Sequence, residues 1–276
     1  MKYRFNAQTL KAEDTNAAEF TFGVEFETSI PANSDITVGG YHRGTPVSFG
    51  RDQETNGMIY APRYNGQAAK AERDMSICPS HGGYVPCEFV TPILKGEEGI
   101  RFLIDFVIFL NKIGAKVNRT CGLHVTVGVS SIIGETSREE QMKYAQKVVH
   151  LARHHQYAIY GQTGSGRHEN GYSHKLRGDC EQVAKSGNWL GLGRGMVNFQ
   201  KFNQGRIEFR AFAGTTNSAK VLHHVATVLG LCSRAKAAKT VAPYNGKGKA
   251  AESATKGLFK LHKQLGWRSS KWRTVA

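Results

Sequence analysis

The segment FTFGVEFETSI, residues 20–30, constrains the fold more than any other part of the chain, because its apolar and polar residues alternate. Successive side chains of a β-strand point to opposite faces, so a strand here has one apolar face and one polar face. The apolar face consists of Phe20, Phe22, Val24 and Phe26. Glu25 and Glu27 share the polar face, where their like charges repel. The segment therefore predicts a strand whose polar face needs water, cations or a metal ion beside it.

Three later segments separate apolar from charged residues in the same way: YVPCEFV (84–90), GLHVTV (122–127) and RIEFRAFA (206–213). The segment RDMSI (73–77) is predicted to be a further short strand. Together these strands are predicted to gather Glu25, Glu27, Glu88, His124, Glu208 and Arg210 on one polar face, with Asp74 as a further candidate. Each residue alone has an ordinary explanation, such as a solvated strand face or a hydrogen-bonded core histidine. Recurrence of the pattern on separate strands favours a shared site.

The order of strands and helices predicts the fold class. Helices are predicted at residues 97–113, from Ser137 to about residue 160, and after Asn217. Ser137 and Glu140 form a capping box, and Asn217 is a typical helix cap. The segment GMVNFQKF (195–202) is predicted to form a hairpin with RIEFRAFA around the turn at residues 203–205. This order indicates an α+β domain with a mostly antiparallel sheet, helices packed on one face and the active-site cleft on the other.

One domain is predicted over residues 1–240, followed by a basic C-terminal extension at residues 241–276. Residues 31–72, rich in Gly, Pro, Asn and Arg, are predicted to be a loop insertion that contains a hairpin, and the Gly-rich residues 161–193 a second loop insertion. Long loops of this kind serve as binding lids or are disordered. Both alternatives are open for residues 161–193.

Composition sets broad limits on partners and compartment. The chain has 37 Lys and Arg against 22 Asp and Glu, a net charge of +15. Such a surface attracts polyanions or acidic proteins, and a solubilising role fits it equally well. The five cysteines form no CxxC pair, which argues against a disulfide framework and a structural zinc site. Without an apolar leader or a long apolar run, we expect a cytoplasmic protein with no membrane partner.

The predicted polar face combines four carboxylates with one imidazole. This oxygen-rich set suits Mg²⁺ or Mn²⁺ better than Zn²⁺. Four carboxylates exceed what one Mg²⁺ usually takes from protein, so two or more ions are predicted, with phosphate oxygens completing their coordination. Arg210 is predicted to hold a phosphoryl group through its bidentate guanidinium.

Four motifs occur in an order that resembles a known enzyme family: FGVEFE, EFVTP, CGLHVTV and RIEFRAFAGT. Across about residues 20–230, they resemble the amidoligase family of carboxylate–amine ligases, which is related to glutamine synthetase and γ-glutamylcysteine ligase. The resemblance implies a twisted antiparallel sheet like the glutamine synthetase catalytic domain. It also implies an ATP- and Mg²⁺-dependent (or Mn²⁺-dependent) ligase that forms amide bonds through an acyl phosphate.

The resemblance also implies roles for individual residues. The implied metal ligands are Glu25, Glu27, Glu88, His124 and Glu208. Arg194, Asn198 and Arg210 are implied to contact the nucleotide or substrate, and Arg210 and Glu27 are the predicted catalytic residues. This chain departs from the pattern at Thr126, where relatives often have a second histidine.

Other functions remain open at this stage. The same sheet could serve a guanidino-kinase-like phosphotransferase, and paired ions could hydrolyse phosphoesters. A basic nucleic-acid-binding protein without catalysis is an alternative of a different class, although four carboxylates suit a phosphate-binding face poorly. The sequence does not name the carboxylate donor or the amine acceptor, which could be a small molecule, a peptide or a protein side chain. It does not indicate the oligomeric state.

Overall fold

The computed structural model describes residues 15–161, 163, 167, 171–176, 180, 182, 186–187 and 193–243, and the backbone of residues 2–4 and 273–275. Most of the predicted lid at 161–193 and of the basic extension at 241–276 lies outside the described residues. The domain boundaries predicted from the sequence therefore remain predictions.

The strands are numbered in chain order. They are β1 (Lys2–Arg4), β2 (Thr21–Pro31), β3 (Thr45–Pro46), β4 (Phe49–Arg51), β5 (Met58–Tyr60), β6 (Arg63–Tyr64), β7 (Gln67–Ala68), β8 (Lys70–Glu72), β9 (Tyr84–Val90), β10 (Gly122–Gly128), β11 (Val197–Asn198), β12 (Arg206–Ala213) and β13 (Arg273–Val275). The α-helices with described bounds are α1 (Gly96–Lys112), α2 (Ser130–Glu135), α3 (Arg138–Gly161) and α4 (Ser218–Ala237).

A seven-stranded sheet in the order β11-β12-β10-β2-β9-β8-β3 forms the centre of the molecule. Every pair of neighbouring strands in it is antiparallel. The predicted strands at residues 20–30, 84–90, 122–127 and 206–213 are therefore confirmed, with β2 and β10 side by side. Strands β11 and β12 form the predicted hairpin, whose turn ends at Gly205 with a φ of 75°. The prediction of an antiparallel sheet with helices is confirmed.

The helices cover the apolar face of this sheet. Phe106 of α1 lies edge-on to both Phe26 and Phe89, with ring centroids 5.7 Å apart in each case. Helix α4 packs against α1, α3 and β10. Burial of a side chain such as Phe26 contributes about 1.5–3 kcal/mol to folding. The alternation that the sequence shows thus directs one face of β2 into the core and leaves the other for a site.

Two helix starts follow the predicted capping chemistry. Before α3, the backbone N–H of Ser137 donates to Glu140 and the Glu140 N–H donates to Ser137 Oγ at 3.3 Å. Before α4, Asn217 Oδ1 accepts from the Lys220 N–H at 3.0 Å. These bonds satisfy backbone donors that the first helical turn leaves unpaired. The predicted positions of both helices are therefore confirmed.

The prediction of a strand at residues 73–77 is wrong. The strand ends earlier, at Glu72 of β8, and Asp74 begins a turn in which its Oδ1 accepts from the Ser76 N–H at 2.7 Å. Aspartate favours such turns because its side chain mimics a backbone acceptor. Residues 31–72 also hold more structure than the predicted loop with a hairpin. They contain the hairpins β4–β5 and β6–β7, and they add β8 and β3 to one edge of the main sheet.

None of the helices within the described ranges combines the length and hydropathy that a membrane span requires.

Candidate functional site

Strand register arranges the side chains on the polar face of the sheet in three adjacent rows. Residues that lie directly opposite each other in an antiparallel pair point to the same face. The first row is Glu72, Glu88 and Glu27, on β8, β9 and β2. The second row pairs Glu25 with His124, and the third consists of Thr126, Glu208 and Asn198. All five predicted metal ligands therefore lie close together on one face.

The imidazole of His124 lies between three carboxylates. Its Nδ1 is 3.2 Å from Glu25 Oε2 and 3.6 Å from Glu208 Oε1, and its Nε2 is 3.2 Å from Glu27 Oε1. Only 2% of its side chain is exposed. The Nε2 atom nevertheless lacks a well-aligned hydrogen bond. A buried nitrogen in that state is suited to binding a ligand that approaches from the polar face.

Glu27 is fixed from a different direction. It is buried, and its Oε2 accepts a hydrogen bond from the backbone N–H of Gly122, the first residue of β10. The carboxylate is therefore held against the neighbouring strand, with its Oε1 directed at His124.

Two overlapping groups of side chains bring their oxygen and nitrogen atoms within 4.8 Å of one another. They are Glu25, Glu88 and His124, and Glu27, Asp74 and Glu88. Glu88 belongs to both groups, and the structure gives it no cation within ion-pair distance among the described residues. Carboxylates at this spacing repel unless cations lie between them. The donor set and its uncompensated charge therefore fit hard divalent ions such as Mg²⁺ or Mn²⁺.

The electrostatic imbalance is concentrated on Glu88. Burial raises its pKa to about 9, together with the negative charges of Glu25, Glu27, Asp74 and Glu72. Burial also raises the pKa of Glu25, but the hydrogen bond and charge of His124, with Arg210 and Lys201 beyond, outweigh it and lower that pKa overall. The pKa values of these two carboxylates on neighbouring strands therefore move in opposite directions, because only Glu25 has a hydrogen-bonded imidazole and basic side chains nearby.

A cleft of about 700 Å³ opens above this face. Carboxylates and cations both line it, among them Glu25, Asp74, Glu208, Arg194, Lys201, Arg206 and Arg210. Asn198, Tyr41, His42 and Tyr172 also line it. A cleft lined by both acidic and basic groups is suited to an anionic ligand that is bound together with cations.

The structure places the three predicted nucleotide or substrate contacts in this cleft. Arg210 donates to Glu208 through Nη1 and to the Tyr172 carbonyl through Nε, at 3.0 Å in the second case. Asn198 Nδ2 donates to the other oxygen of Glu208 at 2.9 Å. The Arg194 guanidinium lies 5.2 Å from the centre of the Tyr172 ring. Glu208 is thus held by protein donors, unlike Glu88.

Sequence reasoning missed two residues of the site. Glu72 is buried opposite Glu88, and it lies in a three-residue strand inside the region that was predicted to be a loop. The alternation of Ala69 and Ala71, both buried, with Lys70 between them is the sequence signal that could have indicated this strand. Arg167 is also buried beside the site, and its Gly-rich surroundings gave no periodic signal. The site therefore contains one more carboxylate and one more cation than predicted.

Comparisons with known proteins bear on the same region. A family model described as "Putative amidoligase enzyme" matches residues 18–159, a span that includes Glu25, Glu27, Glu88 and His124. Curated proteins give no match. Among solved structures, a bifunctional glutathione synthetase from Pasteurella multocida is similar over 93% of this chain, with 11% identity and a TM-score of 0.41. The match covers 47% of that protein, so the chain spans about half its length. A likeness this distant carries no argument about function.

Proposed function

The chain belongs to the amidoligase family, and from this premise we propose that it is an ATP- and Mg²⁺-dependent (or Mn²⁺-dependent) ligase that joins a carboxylate to an amine. Family membership supports a ligase-type function. We further propose that ATP is the nucleotide, that Mg²⁺ or Mn²⁺ is the metal and that the reaction passes through an acyl phosphate. We also propose that the sheet resembles that of the glutamine synthetase catalytic domain.

One observation carries the proposal: acidic side chains from β2, β9 and β12 and a histidine from β10 converge beside a cleft that basic side chains also line. These residues are far apart in sequence, so a solvated strand face does not explain their joint position. The same observation disfavours a nucleic-acid-binding surface, because a phosphate backbone would meet this carboxylate cluster.

The proposed reaction follows from the chemistry of carboxylates. A carboxylate does not condense with an amine at neutral pH because oxide is a poor leaving group. Attack of the carboxylate oxygen on the γ-phosphorus of ATP gives an acyl phosphate and ADP. The amine nitrogen then attacks the acyl carbon, phosphate leaves with the C–O bonding electrons, and the nitrogen loses a proton. The products are the amide, ADP and phosphate.

The chain's own residues have separable tasks in this reaction. Glu25, Glu27, Glu88, His124 and Glu208 would hold the divalent ions. Such ions, when bound, screen the negative charge of the carboxylate and the phosphates. Arg210 supplies a fixed positive charge for the transferring phosphoryl group, and Arg194 and Asn198 orient the nucleotide or substrate from the same wall. We also assign Glu27 a catalytic role, and its carboxylate is held in place by the Gly122 N–H and by His124.

The acceptor is an amino acid, a polyamine, a peptide or a protein side chain. The net charge of +15 favours an acidic acceptor or other polyanionic partner. A guanidino-kinase-like phosphotransferase would share the nucleotide and metal requirements but would release no amide, so product analysis separates the two activities.

The test is ATP turnover with Mg²⁺ across a panel of carboxylic acids and amines, with ADP, phosphate and amide all measured. Hydroxylamine in place of the amine should trap the acyl phosphate as a hydroxamate. We expect Glu27→Gln to lower turnover by about a hundredfold or more. Glu97→Gln, at an exposed helix position, is the matched control and should behave as wild type. Equal rates for wild type and Glu27→Gln under every condition would contradict the proposal.

A further inference from the structure

A further cavity of about 530 Å³ lies at the edge of the main sheet, beside β3, β8 and β9, and is called the edge cavity below. Its lining combines apolar side chains with two cations, and among the described residues it includes no carboxylate. The side chains that matter here are Pro46, Val90, Pro92 and Ile93, with Arg63 and Lys70. None of them has a task in the reaction proposed above.

Strand register connects the edge cavity to the carboxylate cluster. Glu25 of β2 lies opposite His124 on one side and opposite Val90 of β9 on the other. Lys70 of β8 lies opposite Val90, and Pro46 of β3 lies opposite Lys70. Residues paired in this way point to the same face of the sheet. The row that contains Glu25 and His124 therefore continues without interruption into the edge cavity.

The two cations of the edge cavity have no acidic partners. Arg63 donates from Nη1 to the Gly66 carbonyl at 3.0 Å and from Nη2 to Ser48 Oγ at 3.5 Å, and both acceptors are neutral. In the part of the chain that the structure describes, no carboxylate lies within ion-pair distance of Arg63 or Lys70. Both residues are exposed. The edge cavity therefore has a positive end that is complementary to an anionic group.

The spacing of the strands sets the size of a ligand that reaches both places. Neighbouring strands lie about 4.8 Å apart, so the backbone positions of Glu25 and Lys70 are about 10 Å apart along the row. Val90 lies between them and offers an apolar surface. The lysine side chain is long enough to shorten this span. A short aliphatic chain with an anionic group at each end matches the charges and the apolar surface between them.

We propose that the edge cavity binds the distal anionic group of the carboxylate substrate, whose reacting carboxylate lies at the metal-binding carboxylates. Arg63 and Lys70 pair with the distal group, and Val90 and Ile93 contact the aliphatic part. The inference rests on the proposed function for the identity of the reacting end. It names the substrate class as an aliphatic dicarboxylate, or a larger compound that ends in one.

The apolar lining favours this substrate over the nucleotide as the occupant. A polyphosphate would gain little from Pro46, Pro92 and Ile93, because its surface is charged throughout. The cleft of about 700 Å³ already offers a polyphosphate several cations, among them Arg194 and Arg210. A ligand that is partly apolar and ends in one anionic group fits the edge cavity better.

The experiment is a ligand-observed NMR titration of the full chain, in the presence of Mg²⁺, with linear dicarboxylates from succinate to suberate and with the monomethyl ester of each. The ester keeps the chain length and removes one charge. We expect wild type to bind at least one diacid about threefold to tenfold more tightly than its ester, a modest factor because the cations are exposed. The preference should be absent for the shortest acids, which cannot reach both ends of the row.

Three variants separate the contributions of charge and apolar contact. Replacement of Arg63 and Lys70 together by glutamine should remove the preference for the diacid over its ester. Ile93→Ala should weaken both ligands alike, since it changes only apolar contact. The matched control replaces Arg101 and Lys143 by glutamine, two exposed cations elsewhere on the surface, and should keep the wild-type preference. All these positions are exposed, so the variants should fold.

Equal affinity of diacid and ester for wild type at every chain length overturns the inference. A preference that persists without Arg63 and Lys70, or that the Arg101 and Lys143 control also loses, overturns it as well. A non-hydrolysable ATP analogue provides one further test. If it displaces the diacid competitively and binds more weakly when Arg63 and Lys70 are replaced, the edge cavity belongs to the nucleotide and the inference is wrong.

These outcomes are distinguishable from failure of the proposed function. Length-selective diacid binding that depends on Arg63 and Lys70, without amide formation, would leave the inference standing and remove the ligase proposal. Amide formation with a diacid preference that does not depend on Arg63 and Lys70 would leave the ligase proposal standing and remove the inference.

Discussion

At the scale of single residues, Glu88 shows most clearly why the polar face needs cations. It is buried opposite both Glu27 and Glu72, in the centre of a row of three carboxylates. His124 lies next to Glu25, Glu27 and Glu208, and Arg210 neutralises Glu208. Glu88 has neither kind of partner among the described residues. Its protonation in the absence of metal is the least costly way to relieve the repulsion.

Protonation of Glu88 makes the stability of the metal-free protein depend on pH. The pKa of Glu88 is about 9 in the folded protein and about 4.5 when unperturbed. Between these values the folded state keeps a proton that the unfolded state releases, so stability falls as pH rises, by at most about 1.4 kcal/mol per pH unit. Below the lower value both states are protonated and the effect disappears.

Urea unfolding in EDTA, from about pH 5 to about pH 8.5, measures this effect. We expect Glu88→Gln to gain stability relative to wild type as pH rises, because an amide cannot ionise. Glu98→Gln, at an exposed position in α1, should follow the wild-type curve. Parallel curves for wild type and Glu88→Gln would show that Glu88 is ionised throughout and refute the assignment.

At the scale of secondary-structure elements, the turn between β11 and β12 sets the position of both Asn198 and Glu208. Gly205 ends this turn in the left-handed region, with a φ of 75°. A methyl group there would lie 3.0 Å from Ser130 Cα and 3.2 Å from Ser130 N, which are backbone atoms that cannot move aside. Gly66 has a similar φ of 74°, and a methyl group on it would meet nothing within 4 Å. Comparing alanine substitutions at Gly66 and Gly205 therefore separates the cost of backbone strain from the cost of steric contact.

We expect Gly66→Ala to destabilise the protein by about 1 kcal/mol, the cost of a left-handed alanine. Gly205→Ala should cost about 1–3 kcal/mol more, because the clash with α2 adds to the strain. Chemical denaturation of both variants measures the difference. If the two substitutions are equally destabilising, the close approach between the turn and α2 is not present in solution.

Much of this element structure could be predicted from the sequence, because local chemistry encodes it. Alternation defined β2, β9, β10 and β12, and the capping residues Ser137 and Asn217 marked two helices. The strand predicted at residues 73–77 lies C-terminal to the true strand, β8. Three residues are too few to show a period, and the prediction took the turn at Asp74 for part of a strand. The position of β8 depends on pairing with β9 and β3, which are distant in sequence, and no local pattern records that pairing.

The site was predictable to the same extent. Glu25, Glu27, Glu88, His124 and Glu208 lie on strands with a clear period, so their common face followed from the alternation. Glu72 depends on β8 and was missed with it. Arg167 was missed because its Gly-rich segment has no periodicity in sequence that would give a direction for a side chain.

At the scale of the whole molecule, the sheet joins segments from both halves of the chain through a face that carries unbalanced negative charge. The carboxylates come from β2, β8, β9 and β12, with Asp74 following β8, so their repulsion acts between distant parts of the chain. Divalent ions that bind these groups only when they are assembled must stabilise the folded state by mass action. Metal binding and global stability should therefore be linked.

We expect millimolar Mg²⁺ or Mn²⁺ to raise the melting temperature above its value in EDTA by about 2–4 °C for each kcal/mol of binding free energy. The shift should grow with pH, because a protonated Glu88 must lose its proton before it can bind a cation. Replacement of Glu27 and Glu88 together by glutamine should abolish most of the metal response, because it removes two of the proposed metal ligands. Glu139→Gln, in an exposed ion pair with Lys143, should retain the full response. An equal metal-induced shift in all three proteins would mean that the ions bind elsewhere, and the converging carboxylates would then have no role in holding the cations that the ligase chemistry needs.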